Sequence, residues 1–283
     1  MKVRPPNNAG SWYAGSASSL SRQIERECFL HPLGPGRTPT LTAEDKGDIL
    51  GLLCPHAGYM YSGPVAAHSY GGLAENRRPE VVVIMGPNHT GVGSGVSIMM
   101  EGAWRTPLGD VAIATEVAKA IQRNSSYIDI DEKAHMYEHS IELQLPFLQF
   151  IYGSGWQFVP ICMMLQDLDV ATDVGQAMGK ALQGRKAVVV ASSDMSHYEP
   201  QHSAEAKDTH AIEAMKRLDE VALNEAVNRF NISMCGYGPA MSTIVAVKTL
   251  TANVGRLLKY ATSGDTMGDR SAVVGYCAMA FMK

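Results

Sequence analysis

The chain has 283 residues, with 24 Lys plus Arg against 28 Asp plus Glu and a formal net charge of −4. Its 46% apolar and 18% charged residues exclude a disordered chain, and the mild acidity gives no general electrostatic reason to bind nucleic acid or an anionic membrane. Five scattered cysteines (Cys28, Cys54, Cys162, Cys235 and Cys277), with no CxxC pair, argue against a disulfide framework and for a reducing compartment.

The first predicted element is a helix over 18–29, where Leu20, Ile24 and Cys28 form one apolar stripe. A loose surface segment follows at 38–48, then a strand over 49–54 that ends in Pro55-His56-Ala57-Gly58. Next come a helix over 64–73, with Ser62 ahead of Pro64, and a strand over 81–85 ending in Gly86-Pro87-Asn88-His89. Helices over 115–122 and 138–150, a strand over 158–163 and a helix over 170–182 continue the series. The strand at 187–191 runs into Ser192-Ser193-Asp194, and helices follow over 203–218, 220–230 and 239–250. Two strands, 257–261 and 272–282, complete the set. The last of these is eleven residues long and interrupted by Gly275, whereas a bilayer span needs about 20. The opening stretch MKVRPPNNAGSWY has no apolar core of a secretory signal, so the expectation is a soluble cytoplasmic protein.

The strand runs are continuously apolar rather than alternating, as in strands covered on both faces. Strands alternating with helices predict an α/β fold, with a mostly parallel or mixed central sheet and helices on both sides. No repeat or linker divides the chain, so a single domain spans 1–283.

In open α/β sheets ligands bind beyond the carboxyl ends of the strands. His56, His89, Asp194 and His197 all fall there, held in Gly/Pro/Ser turns, which is more than a random scatter of 9 His would place. His31, His68, His135, His202 and His210 lack that context and read as surface or helix residues. Cys235, in Met234-Cys235-Gly236-Tyr237-Gly238-Pro239, precedes a predicted helix whose dipole would favour its thiolate. Packing accounts for the other four thiols. His139 and Glu142 lie three residues apart, a spacing used in di-metal bundles, although a surface ion pair with a helix cap explains it as well. Asp131, Glu132 and Glu138 read as a solvated acidic face. No P-loop, GxGxxG, GxSxG or HExxH signature occurs.

Six ordered blocks resemble those of the Memo family (mediator of ErbB2-driven cell motility). They are Ala9-Gly10-Ser11-Trp12-Tyr13, Pro55-His56-Ala57-Gly58-Tyr59, Gly86-Pro87-Asn88-His89, Glu138-His139-Ser140-Ile141-Glu142, Ser192-Ser193-Asp194-Met195-Ser196-His197 and Cys235-Gly236. The resemblance implies a fold similar to class III extradiol ring-cleaving dioxygenases, which are non-haem Fe(II) enzymes. It also implies a pocket with His56, His89 and Cys235 as metal-site residues, Asp194 and His197 lining it, and Trp12 and Tyr61 near a mouth linked to peptide binding. His197 would stand where the dioxygenases keep an acid/base histidine. Those enzymes use two His and a carboxylate; here the third place falls on a thiol, a softer donor that admits Cu or Zn as well as Fe(II).

Three readings follow. The first is a metal-dependent oxidoreductase acting on a small molecule. In it His56, His89 and Cys235 are ligands, Asp194 is a fourth ligand or orients a histidine, His197 is the acid/base, and Trp12, Tyr61, His139 and Glu142 bind the ligand. The second is a metal-free cysteine hydrolase with Cys235 as nucleophile and His197 or His89 as base. The third is a catalytically silent module that captures a peptide or small ligand in the same crevice, with Trp12, Tyr59 and Tyr61 as contact surface.

Overall fold

The computed structural model describes residues 2–283. Its strands are β1 (Val3–Arg4), β2 (Ile49–Cys54), β3 (Val81–Pro87), β4 (Val96–Ile98), β5 (Ala103–Thr106), β6 (Gly109–Ala112), β7 (Ile128–Ile130), β8 (Gln157–Met163), β9 (Ala187–Ser192), β10 (His197–Glu199), β11 (Val254–Thr262) and β12 (Val273–Met282). Its helices are α1 (Ala17–Gln23), α2 (Tyr59–Ala74), α3 (Thr115–Arg123), α4 (Leu145–Tyr152), α5 (Leu168–Leu182), α6 (Gln201–Lys216), α7 (Glu220–Phe230), α8 (Tyr237–Thr249) and α9 (Ser263–Met267). The helix expected over 18–29 is α1 continued by a π-helical turn, Ile24–Phe29.

The main sheet has nine strands in the order β10-β12-β2-β9-β3-β8-β4-β7, with β11 also paired to β12. Its centre, β2-β9-β3-β8, is parallel, and the C-terminal strand β12 joins β2 antiparallel. Alternate residues of each central strand face opposite sides, as the two-residue period of a strand requires. Leu52, Cys54, Val82, Ile84, Val188 and Val190 pack with the α1, α2 and α4 side. Leu53 and Ala191 pack toward α6, α7 and α8, and Val83, Met85 and Val189 toward α3 and α5, with Leu50 at the start of β2 as an exception to the alternation. The result is the expected α/β sandwich of three layers. At Gly51 an added Cβ would lie 2.7 Å from Val247, so the missing side chain lets α8 settle onto β2. No described helix is long and apolar enough to cross a membrane.

Two expected helix starts move. The second helix begins at Tyr59 with Pro64 inside it, because Gly58 rather than Ser62 supplies the cap position. The helix expected over 138–150 begins only at Leu145, after a 3₁₀ turn at Glu142–Gln144. Pro146 sits in its first turn, where a missing N–H costs nothing. His139 and Glu142 therefore do not share a helix face. The small strands β1, β4, β5, β6, β7 and β10 were not expected. All six are two to four residues long, too short to carry a period of their own.

Candidate metal centre

β2 and β3 flank β9 in the sheet and run parallel to it, and this delivers His56 and His89 to one crevice. Their rings lie 5.2 Å apart, edge to face. His139, from the turn before α4, stacks on His89 with ring centroids 4.4 Å apart and meets His56 edge-on at 5.3 Å. One ring nitrogen from each of the three lies within 4.8 Å of the other two, a spacing that one metal ion can bridge.

Hydrogen bonds fix which nitrogen of the His56 and His89 rings faces the crevice. The Ser192 hydroxyl donates to the Ser140 carbonyl at 2.7 Å and accepts from the Gln144 amide at 2.7 Å. Its remaining lone pair must accept from His56 Nδ1 at 2.9 Å, so Nδ1 carries the proton and Nε2 presents a lone pair to the crevice. His89 Nδ1 donates to the Glu138 carboxylate at 2.9 Å, the carboxylate–imidazole pairing typical of metal-binding histidines, and again Nε2 is left free. Glu138 also accepts from the backbone N–H of His89 (2.6 Å) and of Ser140 (2.8 Å).

These bonds set the charges. Burial pushes the Glu138 carboxyl up, but the His89 hydrogen bond and the neighbouring imidazoles outweigh it and hold the group down at about 2. Burial, followed by the positive fields of His139, His89 and His197, drives His56 well below the ordinary imidazole range. His139 is lowered to about 4, chiefly by burial. Buried neutral imidazoles with oriented lone pairs are ready donors to a metal.

Cys235 reaches the crevice from the other side, just ahead of α8. Its sulfur lies 3.3 Å from His56 Nε2 and accepts from the Asp194 N–H at 3.3 Å. Gly236 permits this approach, since a Cβ there would fall 2.5 Å from the Ser192 carbonyl oxygen. Gln166 braces the turn by donating to the Cys235 carbonyl and accepting from the Gly238 N–H. Cys235 touches His56 but stands outside the three-imidazole group. Its place before a helix favours the thiolate, but burial, and then the Asp194 carboxylate, push the thiol well up. The Asp194 carboxylate accepts the His56 N–H at 2.8 Å and is itself raised by burial. It thus sits beside both candidate donors.

His197 opens β10 at the rim. Its Nδ1 lies 2.9 Å from the Ser233 carbonyl oxygen, which can only accept, so Nε2 is the basic nitrogen. Trp12 meets His139 at a tilt of 42° with ring centroids 4.3 Å apart and, with Tyr61, lines a cavity of about 520 Å³ that opens beside Ala57 and Gly58, next to His56. Met60, Tyr198, Val274 and Tyr276 complete its apolar walls.

Several sequence expectations are corrected. Glu142 does not face the crevice; it is fully buried and paired with Arg4 at 2.6 Å. Glu138 belongs to no solvated acidic face, being fully buried against His89. Tyr59 is buried with its hydroxyl on the Leu143 carbonyl, so it offers no contact surface. His135, expected at the surface or on a helix, is fully buried in a 3₁₀ turn. Sequence reasoning missed Glu138, Ser192 and Gln144 as supports of the imidazoles. The available signal was that a metal-binding histidine needs an acceptor for its second nitrogen, with Glu138 adjoining His139.

The Memo-like protein family matches this chain over residues 4–280. The chain belongs to the Memo family. It is 51% identical over 282 residues to a MEMO1 family protein of Methanopyrus kandleri, covering 99% of both chains. A MEMO1 family protein of Methanothermobacter thermautotrophicus is 47% identical over 280 residues, covering 98% of this chain and all of that one. Among solved structures, an uncharacterized protein from Escherichia coli K12 superposes with a TM-score of 0.57 at 12% identity, over 82% of this chain and 99% of the other. That likeness carries the fold alone. Nothing in these Memo relatives' names states a substrate.

Proposed function

We propose that this Memo-family protein is a mononuclear non-haem metalloprotein with oxidoreductase activity toward a small molecule, working in the cytoplasm. The observation that supports it most is that His56 and His89 both turn Nε2 into one crevice, each ring oriented by a hydrogen bond at Nδ1. The residues present fit a metal: two oriented imidazoles, a third in His139, and a thiol in contact with His56. His56, His89 and Cys235 would hold it, with His139 beside them and Asp194 orienting His56 through its backbone. Fe(II) is the metal the fold resemblance favours, and the mixed nitrogen and sulfur set suits Cu or Zn as well. When bound, Fe or Cu would supply redox chemistry, which Zn would not, and any of the three would lower the thiol's proton affinity.

The chain's own residues do the rest. The 520 Å³ cavity holds the small molecule against Trp12, Tyr61 and Tyr276 and keeps water from one face. His197 Nε2 takes or returns a proton at the crevice rim. Metal analysis of anaerobically purified protein, with oxygen uptake across a panel of small molecules, tests this reading. Bound metal that disappears in His56→Ala supports it; equally low metal in both proteins overturns it.

The aromatic cavity walls also support a second reading, a module that captures a small molecule or a peptide without turnover. Ligand binding with no turnover under Fe(II), Cu or Zn would select it.

A further inference from the structure

Glu142 spends its whole carboxylate on a loop that lies more than a hundred residues earlier in the chain. One oxygen accepts from Arg4 Nη1 at 2.6 Å and from the Asn7 N–H at 3.2 Å. The other accepts from the Asn8 N–H at 2.9 Å and the Tyr13 hydroxyl at 2.7 Å. Asn8 and Tyr13 are the two ends of a tight loop. Inside it the Asn8 carbonyl accepts from the N–H groups of Ser11 and Trp12, and Gly10 N–H donates to the Tyr13 carbonyl. Both ends of that loop are therefore gripped by the same side chain. Its far side carries Ser11 and Trp12, which line the cavity, and Trp12 rests on His139.

Glu142 lies three residues beyond His139, so the grip joins the cavity mouth to the turn that supplies the third imidazole. Arg4 reinforces the joint, because its other nitrogens donate to the carbonyls of His135 (2.6 Å) and Glu138 (2.8 Å) while its guanidinium lies 4.1 Å over the Trp104 ring.

We propose that Glu142 is a positioning residue that clamps the Asn8–Tyr13 loop and so sets Trp12 over the imidazole cluster at the mouth of the site. The clamp takes its functional meaning from the metal-centre reading, but its geometry stands without it. If Glu142 served only to neutralise Arg4, the Tyr13 hydroxyl would be dispensable to the placement of Trp12. As a clamp, it needs both ends.

The test uses the full chain, labelled with nitrogen-15, in two variants. Tyr13→Phe removes one oxygen and leaves the Arg4 pair intact. Loss of a hydrogen bond to a charged acceptor raises the open population of the loop about tenfold, so amide exchange at Asn8 and Trp12 should quicken by about that factor while the Trp104 amide keeps its rate. Glu142→Gln loosens the whole joint. With Co(II) bound and Zn(II) as the diamagnetic reference, the pseudocontact shift of the Trp12 indole N–H should shrink, and those of Trp104 and Trp156 should not.

Unchanged exchange at Asn8 and Trp12 in Tyr13→Phe overturns the proposal, whether or not Glu142→Gln folds. An undiminished Trp12 shift in a folded Glu142→Gln protein with bound Co(II) also overturns it. A wild type that shows no Co(II)-dependent shift would instead remove the metal reading, and the exchange rates would still decide the clamp.

Discussion

His89 and His135 share a neighbourhood and have opposite fates. Both are supported by the stretch that runs from the 3₁₀ turn at Lys133–His135 to Glu142, and Arg4 grips backbone carbonyls at both His135 and Glu138. His135 is fully buried, neither ring nitrogen has a partner, and burial lowers it to about 4. His89 is partly open to the crevice, is anchored through Nδ1 on Glu138, and turns its other nitrogen toward His56 and His139. Burial alone, as at His135, only lowers an imidazole's hold on its proton. Only anchored lone pairs that converge make a site.

Four changes would break or sharpen that contrast. His89→Ala has the largest effect: bound metal should fall from about one equivalent to background, measured by elemental analysis, whereas His135→Ala should leave metal content unchanged. Arg4→Ala strikes the support common to both histidines. It strands the Glu142 carboxylate in the interior and should cost about 3–5 kcal/mol in urea unfolding.

His135→Phe isolates the orphan's contribution. The folded-state value of about 4 lies below the unfolded value of 6.5, so the unfolded chain binds the extra proton. The associated stability is therefore present above pH 6.5 and lost as pH falls toward 4, about 3 kcal/mol in all. In His135→Phe the difference in unfolding free energy between pH 7 and pH 4 should shrink by about that amount. An unchanged difference would show that His135 keeps its proton in the fold. Glu138→Gln is the mildest change, because it keeps the shape of the His89 anchor without its charge. Metal affinity should drop about 10–100-fold by competition titration, and because both Glu138 oxygens accept N–H groups, the amide nitrogen set against one of them should also cost about 1–3 kcal/mol in urea unfolding.

The layered architecture was legible because buried parallel strands write themselves as unbroken apolar runs: 49–54, 158–163 and 187–191 lie within β2, β8 and β9. His56 and His89 were legible for a related reason, since the carboxyl end of such a run is where a chain can present a side chain. What escaped was everything defined by a distant partner. Glu138 looks like one more acid in an acidic stretch, and only His89, held against it by β3, reveals it as buried. Glu142 looks like half of a helical pair with His139, yet its partners are Arg4, Asn7, Asn8 and Tyr13. The thiol of Cys235 illustrates a contest of magnitudes: its place before α8 favours the anion, but desolvation and Asp194 together outweigh that dipole.

The order of strands in the sheet also governs assembly. β2, which carries His56, finds its two neighbours only in β9 and β12, through pairings such as Leu53 with Ala191 and with Met279. Such distant contacts require large loops to close before any pairing energy is recovered, which places the chain among slow-folding topologies. A growing polypeptide that ends anywhere before Val273 leaves one flank of β2 bare, and an unpaired apolar strand is a template for aggregation. The strand end that carries His56 therefore gains its full sheet support only once the C-terminal strand has been made.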